Sequence, residues 1–197
     1  TADEIGALCE AARARGMKVH MDGARFANAV AHLKCTPADI SWKAGVDVLV
    51  FGGVKNGLGF GEAIVFFDTD LAEAFAWRVK QSGHLTSKMR FVTAPWTGLL
   101  ADDVWLKNAA HANAMAGRLA AGLKHAGLSL GETVEANAVF IDMPVALQER
   151  LRAKGWRFYT FSGATCCRLM CAWDTTVATV DRFVSDVMAL REGEARG

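Results

Sequence analysis

No apolar run in this sequence approaches a membrane span. The longest, "AIVFF" and "VDVLVFGG", fall far short of the roughly 20 residues needed. Neither sign of charge dominates. There are 22 basic and 21 acidic residues, for a net charge of +1. Nothing in that balance suggests a nucleic-acid or anionic-membrane partner. No basic-then-apolar segment stands at the N-terminus, so no export signal is read and a cytoplasmic location is expected. The cysteines, Cys9, Cys35, Cys166, Cys167 and Cys171, are odd in number and lack framework spacing. They read as small buried hydrophobes rather than a disulfide scaffold. No Cys or His pairing has zinc-site spacing, and no metal is expected. Internal repeats and low-complexity segments are absent. The glycine run G-L-G-F-G matches neither the dinucleotide fingerprint nor a P-loop.

What is present is apolar. Hydrophobic residues make up 52% of 197, enough for one sizeable core or two small ones. "TADEIGALCEAARARG" predicts a helix with Thr1 and Glu4 as a capping box and Gly16 as its stop. It feeds a strand at "MKVHM", which reads as the second half of a crossover unit. The strand that should precede the helix is missing, so the chain is expected to be a piece of a longer polypeptide. "FANAVAHL" predicts a short helix. "TPADISWKAG" predicts another, with Thr36 as N-cap and Pro37 in its first turn. "VDVLVFGG" and "EAIVFF" read as strands, and their ten-residue separation is too short for a crossover, so they should be antiparallel. "DTDLAEAFAWRVKQ" predicts a helix capped near Asp68 to Asp70. A long alanine-rich helix ends at Gly127. Strand, helix, two strands and a final helix follow. This gives an α/β chain of two parts, 1–100 and 101–197, the second a small α+β unit.

Two positions draw attention as chemistry. Lys55 directly follows the strand "VDVLVFGG" and sits among Gly52, Gly53, Gly57, Gly59 and Gly61. It is either a solvated lysine in a glycine-rich turn or a lysine kept dry for nucleophilic attack. Asp22 ends the other strand, followed by Gly23 and Arg25. It is either a cap for the next helix or a held carboxylate. Both lie at C-terminal strand ends, where α/β proteins bind ligands. A pyridoxal phosphate enzyme needs such a pair: a lysine for the aldehyde and a carboxylate for the pyridine nitrogen. Gly23 would leave room for the ring. In "TCCRLMCAW", Cys166, Arg168 and Met170 share one strand face, read as an inner one. There Arg168 needs an anion, from a protein carboxylate or a ligand.

"HMDGARFANA", "WKAGVDVLVFGGVKNG" and "GEAIVFF" together resemble the low-specificity threonine aldolases, of the β-eliminating-lyase group of fold-type-I pyridoxal phosphate enzymes. The resemblance continues through "AWRVKQSGHLTSKMRF", "LKNAAHANAMAGRLAAGL", "ANAVFIDMP" and "CRLMCAWDT". It implies a fold-type-I transferase-like architecture, comprising the C-terminal part of the large-domain sheet and a small C-terminal domain. It implies Asp22 at the pyridine nitrogen, Lys55 as the Schiff-base lysine, Arg25 near the substrate and Arg168 on the substrate carboxylate. Arg90 would lie near the cofactor phosphate, reaching from a neighbouring subunit of a homo-oligomer, dimer or tetramer. The implied activity is cleavage of threonine or allo-threonine to glycine and an aldehyde. The alternatives are another lyase or racemase reaction of the same cofactor, or a non-catalytic fragment. Two departures stand out. Val54 replaces the Ser or Thr that often precedes the lysine. The Gly-Thr phosphate loop and the catalytic histidines would lie upstream of Thr1, so this chain alone would be incomplete. His20 is expected to face away from Asp22 and to be structural.

Overall fold

The computed structural model describes residues 1–195. They divide into two compact units, residues 1–108 and 109–195.

The first unit opens with α1 (Ala2–Arg13), whose N-terminus carries the reciprocal Thr1–Glu4 capping box. Gly16 follows at φ 68°. The Arg13 guanidinium donates to the Gly45 carbonyl at 2.7 Å. Next come β1 (His20–Gly23), α2 (Phe26–Leu33), β2 (Val48–Gly52) and β3 (Glu62–Phe66). The sheet order is β1-β2-β3. Strand β1 runs parallel to β2, with Asp22 opposite Val50. Strand β3 returns antiparallel, with Glu62 opposite Gly52.

Leu49 and Phe51 point to the side of the sheet that carries the core. Phe51 lies 5.7 Å from Phe26, 5.4 Å from Trp96 and 5.3 Å from Trp105, ring centre to ring centre. Aromatic pairs at these separations add to the burial energy of their surface. Two further helices complete the unit, α3 (Phe75–Gln81) and α4 (Arg90–Leu100).

The segment 36–45 departs from the expected helix. It forms turns and one 3-10 turn, Trp42–Ala44. The Thr36 hydroxyl donates to Asp39 Oδ2 at 2.6 Å, and that carboxylate also takes the Thr36 N–H. The local side-chain network competes with helix formation. The helix expected over 68–81 is likewise split, because Asp68 caps a 3-10 turn at Thr69–Ala72 before α3 begins.

The second unit contains most of α5 (Val104–His125), then β4 (Ser129–Leu130), β5 (Ala138–Asp142), α6 (Val145–Ala153), β6 (Tyr159–Ser162), β7 (Cys166–Met170) and α7 (Val177–Ala195). Its sheet is antiparallel throughout, in the order β4-β5-β7-β6. Val139 and Ile141 of β5 and Cys167 and Leu169 of β7 pack with Leu123, Leu147, Leu151, Val180 and Val187. Burying each such aliphatic side chain contributes about 1.5–3 kcal/mol before entropy is counted. Gln148 is almost wholly buried, and its amide donates to the Met143 and Ala164 carbonyls, both at 2.8 Å.

The boundary between the two units, at 108/109, lies beyond the 100/101 division read from sequence. Two bonds tie the start of α5 to the first unit. Asn56 donates to the Trp105 carbonyl at 2.8 Å, and Asn108 donates to the Asn56 carbonyl at 2.9 Å. The first turn of α5 therefore belongs with the first unit. No helix among the described residues is long and apolar enough to cross a membrane.

Candidate active site

Asp22, Arg25 and Lys55 gather at one end of the three-stranded sheet. Because β1 and β2 are parallel neighbours, their C-terminal ends coincide. Asp22 does not cap α2. The N-cap position is Arg25, which is half-buried and provides no side-chain cap. Asp22 Oδ1 instead accepts the Ala24 N–H at 3.0 Å, closing a two-residue Asx-type turn. Its Oδ2 has no hydrogen-bond partner among the described residues, so half of the carboxylate stays available.

The glycines serve backbone approach. A Cβ on Gly23 would stand 2.4 Å from the Val50 carbonyl oxygen and 2.6 Å from Leu49 Cδ1, so strand packing requires glycine there. A Cβ on Gly52 would stand 2.6 Å from the Ala24 carbonyl oxygen. Gly52 thus lets the Asp22 turn lie directly against the end of β2. Backbone cannot yield as a side-chain tip can. Gly52→Ala is therefore expected to destabilise the protein by about 1–3 kcal/mol, read as a lowered midpoint in denaturant with unchanged slope.

Lys55 lies in the 3-10 turn Val54–Asn56. Asn56, buried, anchors that turn through the two bonds given above. Gly53 N–H donates to the Glu62 carboxylate at 2.7 Å, fixing its entry. Gly57, at φ 112°, makes the exit. The turn is thus held on three sides while Lys55 itself is exposed. The expected dry pocket is not a property of the described residues. Lys55 Nζ makes no hydrogen bond or ion pair among them, whereas Lys18, Lys43 and Lys154 each pair with an aspartate. Sequence reasoning missed Glu62 and Asn56. The signal was their placement, one opposite Gly52 and one directly after Lys55.

Arg90 opens α4, exposed, with its guanidinium 5.4 Å from the centre of the Phe91 ring. Helix α4 itself packs on the glycine turn. The site of a Gly53 Cβ lies 2.7 Å from Trp96, and that of a Gly61 Cβ 2.9 Å from Val92.

His20 lies two residues before Asp22 in β1. The two side chains therefore share a face, contrary to the expectation that they oppose each other.

Arg168 belongs to the second unit. Its face of β7 is the less buried one, since Cys167 and Leu169 take the core. The inner-face reading is corrected accordingly. Even so, Arg168 Nε is buried without a hydrogen-bond partner. No carboxylate pairs with this guanidinium among the described residues. Its neighbours are the rings of Tyr159, centred 5.7 Å away, and Phe161, 5.2 Å away.

The profile of the beta-eliminating lyase family matches residues 1–146. The chain belongs to that family. A low-specificity L-threonine aldolase from Pseudomonas sp. strain NCIMB 10558 is 52% identical over 189 residues, covering 95% of the chain and 55% of that protein. Another from Pseudomonas aeruginosa is 53% identical, covering 94% of the chain and 54% of that protein. The chain thus spans about half the length of the curated relatives it matches. Among solved structures, the threonine aldolase of Leishmania major superimposes with a TM-score of 0.89 at 27% identity. That match covers 96% of the chain and 56% of the other. The fold is thus that of the fold-type-I pyridoxal phosphate enzymes, of which the chain covers the C-terminal part.

Proposed function

We propose that the whole protein is a pyridoxal-phosphate-dependent aldolase. It would cleave threonine or allo-threonine between Cα and Cβ, releasing glycine and an aldehyde. The observation that carries this is the pairing of Asp22 and Lys55 at the coincident ends of two parallel strands. The two Pseudomonas relatives support the substrate class. A homo-oligomeric, cytoplasmic enzyme is part of the same reading.

The donor set fits the cofactor. It offers a carboxylate with a free oxygen, an uncommitted primary amine and arginines for anions. When bound, pyridoxal phosphate supplies an electrophilic aldehyde and a ring that accepts the electron pair left on Cα. Lys55 would hold it through Nζ, and Asp22 Oδ2 would keep the proton on the ring nitrogen. Arg90 would meet the phosphate. Arg25 would stand near the substrate. Arg168 would pair with the substrate carboxylate in the two-pronged geometry a guanidinium favours. That contact would set which bond of Cα is broken. A buried donor without a partner is costly, and no carboxylate among the described residues pairs with Arg168, which supports a ligand role over a structural ion pair.

The assay is direct. Glycine and aldehyde should accumulate from threonine, whereas ammonia and a keto acid would indicate elimination. Arg168→Lys keeps the charge and loses the fork. It is expected to lower kcat/KM by about ten- to a few-hundred-fold, the loss of one charge-assisted bond, with the resting visible spectrum unchanged. Unaltered threonine kinetics would remove Arg168 from the site.

A further inference from the structure

The open face of the small sheet is aromatic around a single cation. Phe140 lies opposite Arg168 on β5, and Tyr159 opposite it on β6. The β6–β7 ladder then shifts. Thr160 pairs with Cys167 and Ser162 with Cys166, so Phe161 has no partner of its own. Such a bulge re-aims a side chain. Here it brings Phe161 over Arg168 as well as Tyr159, and Phe161 rests on Phe140 with ring centres 5.1 Å apart. Both rings are large and, among the described residues, mostly exposed, 70% for Tyr159 and 56% for Phe161.

The alternation of β6 is pinned from the other side. The Thr160 hydroxyl donates to Gln148 Oε1 and accepts from Arg152, both at 2.9 Å. Gln148 in turn holds the Ala164 carbonyl of the following loop. With Thr160 tied toward α6, Tyr159 and Phe161 stand on the opposite face. A guanidinium is weakly hydrated and stacks readily on aromatic rings. Stacking covers its flat faces and leaves its terminal N–H edge for an acceptor in its plane, while Nε lies buried without a partner.

We propose that Tyr159 and Phe161 are positioning residues: an aromatic platform that fixes the plane of Arg168 for the carboxylate of the amino-acid substrate. This rests on the reading of Arg168 as the carboxylate ligand. The platform excludes acceptors approaching the guanidinium face and admits a two-oxygen group approaching its edge. It therefore selects a free carboxylate over an amide.

The test uses the whole protein loaded with pyridoxal phosphate, with threonine and threonine amide as substrates and glycine as a binding probe. Phe161→Leu should raise KM for threonine about five-fold, the scale of one cation–π contact, with kcat within two-fold. The preference for threonine over its amide should fall by a similar factor. The dissociation constant of glycine, from spectral titration, should rise in parallel. Phe161→Tyr should restore all three. Tyr159→Leu should act in the same direction, which provides a second variant if one folds poorly. If Arg168→Lys raises KM while both leucine variants stay within two-fold of the parent, the platform is idle and only this inference falls. If Arg168→Lys is silent, the carboxylate reading falls and takes the platform with it. A drop in kcat without a change in substrate preference, or failure of Phe161→Tyr to restore it, would mark Phe161 as merely structural.

Discussion

Lys55→Ala is expected to reduce threonine cleavage by the whole protein at least about a thousand-fold, while leaving its unfolding free energy within about 0.5 kcal/mol of the parent. The two halves of that expectation have separate causes. Activity falls because the amine that would hold the cofactor is gone. Stability survives because Lys55 is exposed and makes no hydrogen bond or ion pair among the described residues. Its turn is held by Asn56 and by the Glu62 bond to Gly53, neither of which the substitution touches. Lys43, at the other end of β2, is committed to Asp39 at 3.1 Å. Steady-state assays with a parallel denaturant titration check both halves. Activity within ten-fold of the parent would remove Lys55 from the chemistry. An equal collapse of stability would mean the turn, not the amine, was tested.

Asp22→Asn should cost about a hundred- to a thousand-fold in kcat, the scale of losing one well-placed electrostatic partner. The substitution is chosen for what it preserves. The amide oxygen of Asn can still accept the Ala24 N–H now bonded to Oδ1, so the turn at the end of β1 should persist. Only the negative charge is lost. Without it a bound cofactor's ring nitrogen would be less readily protonated, and the ring a poorer acceptor of electrons. The expected signature is a fall in kcat with a modest change in KM and an altered visible spectrum. If Asp22→Asn retains kcat within three-fold, the carboxylate is a turn residue and nothing more.

Much of this architecture was legible because local signals agreed with the packing. The capping box at Thr1 and Glu4, the helix at 26–33 and the antiparallel return of β3 all follow from caps, periodicity and spacing. The segment 36–45 was misread because Thr36, Pro37 and Asp39 also fit a turn network, and that network prevails. Helix α4 is not signalled by the sequence, and it holds Pro95 in its interior. At the site, residue types pointed to Asp22 and Lys55. The reason for Gly23 and Gly52 became clear only from the register, because close approach between strand ends leaves no periodic trace. The bulge that lets Phe161 face Arg168 is equally silent in sequence.

The central claim is that Lys55 and Asp22 together form a pyridoxal phosphate site. Borohydride reduction of the yellow holoprotein, followed by peptide mapping, tests it most directly. The account predicts a single pyridoxyl-lysine in the peptide containing "GGVKNG", at Lys55, and none in Lys55→Ala treated alike. A label on Lys43, Lys80 or Lys88 instead, or a protein that carries no reducible cofactor, would contradict it.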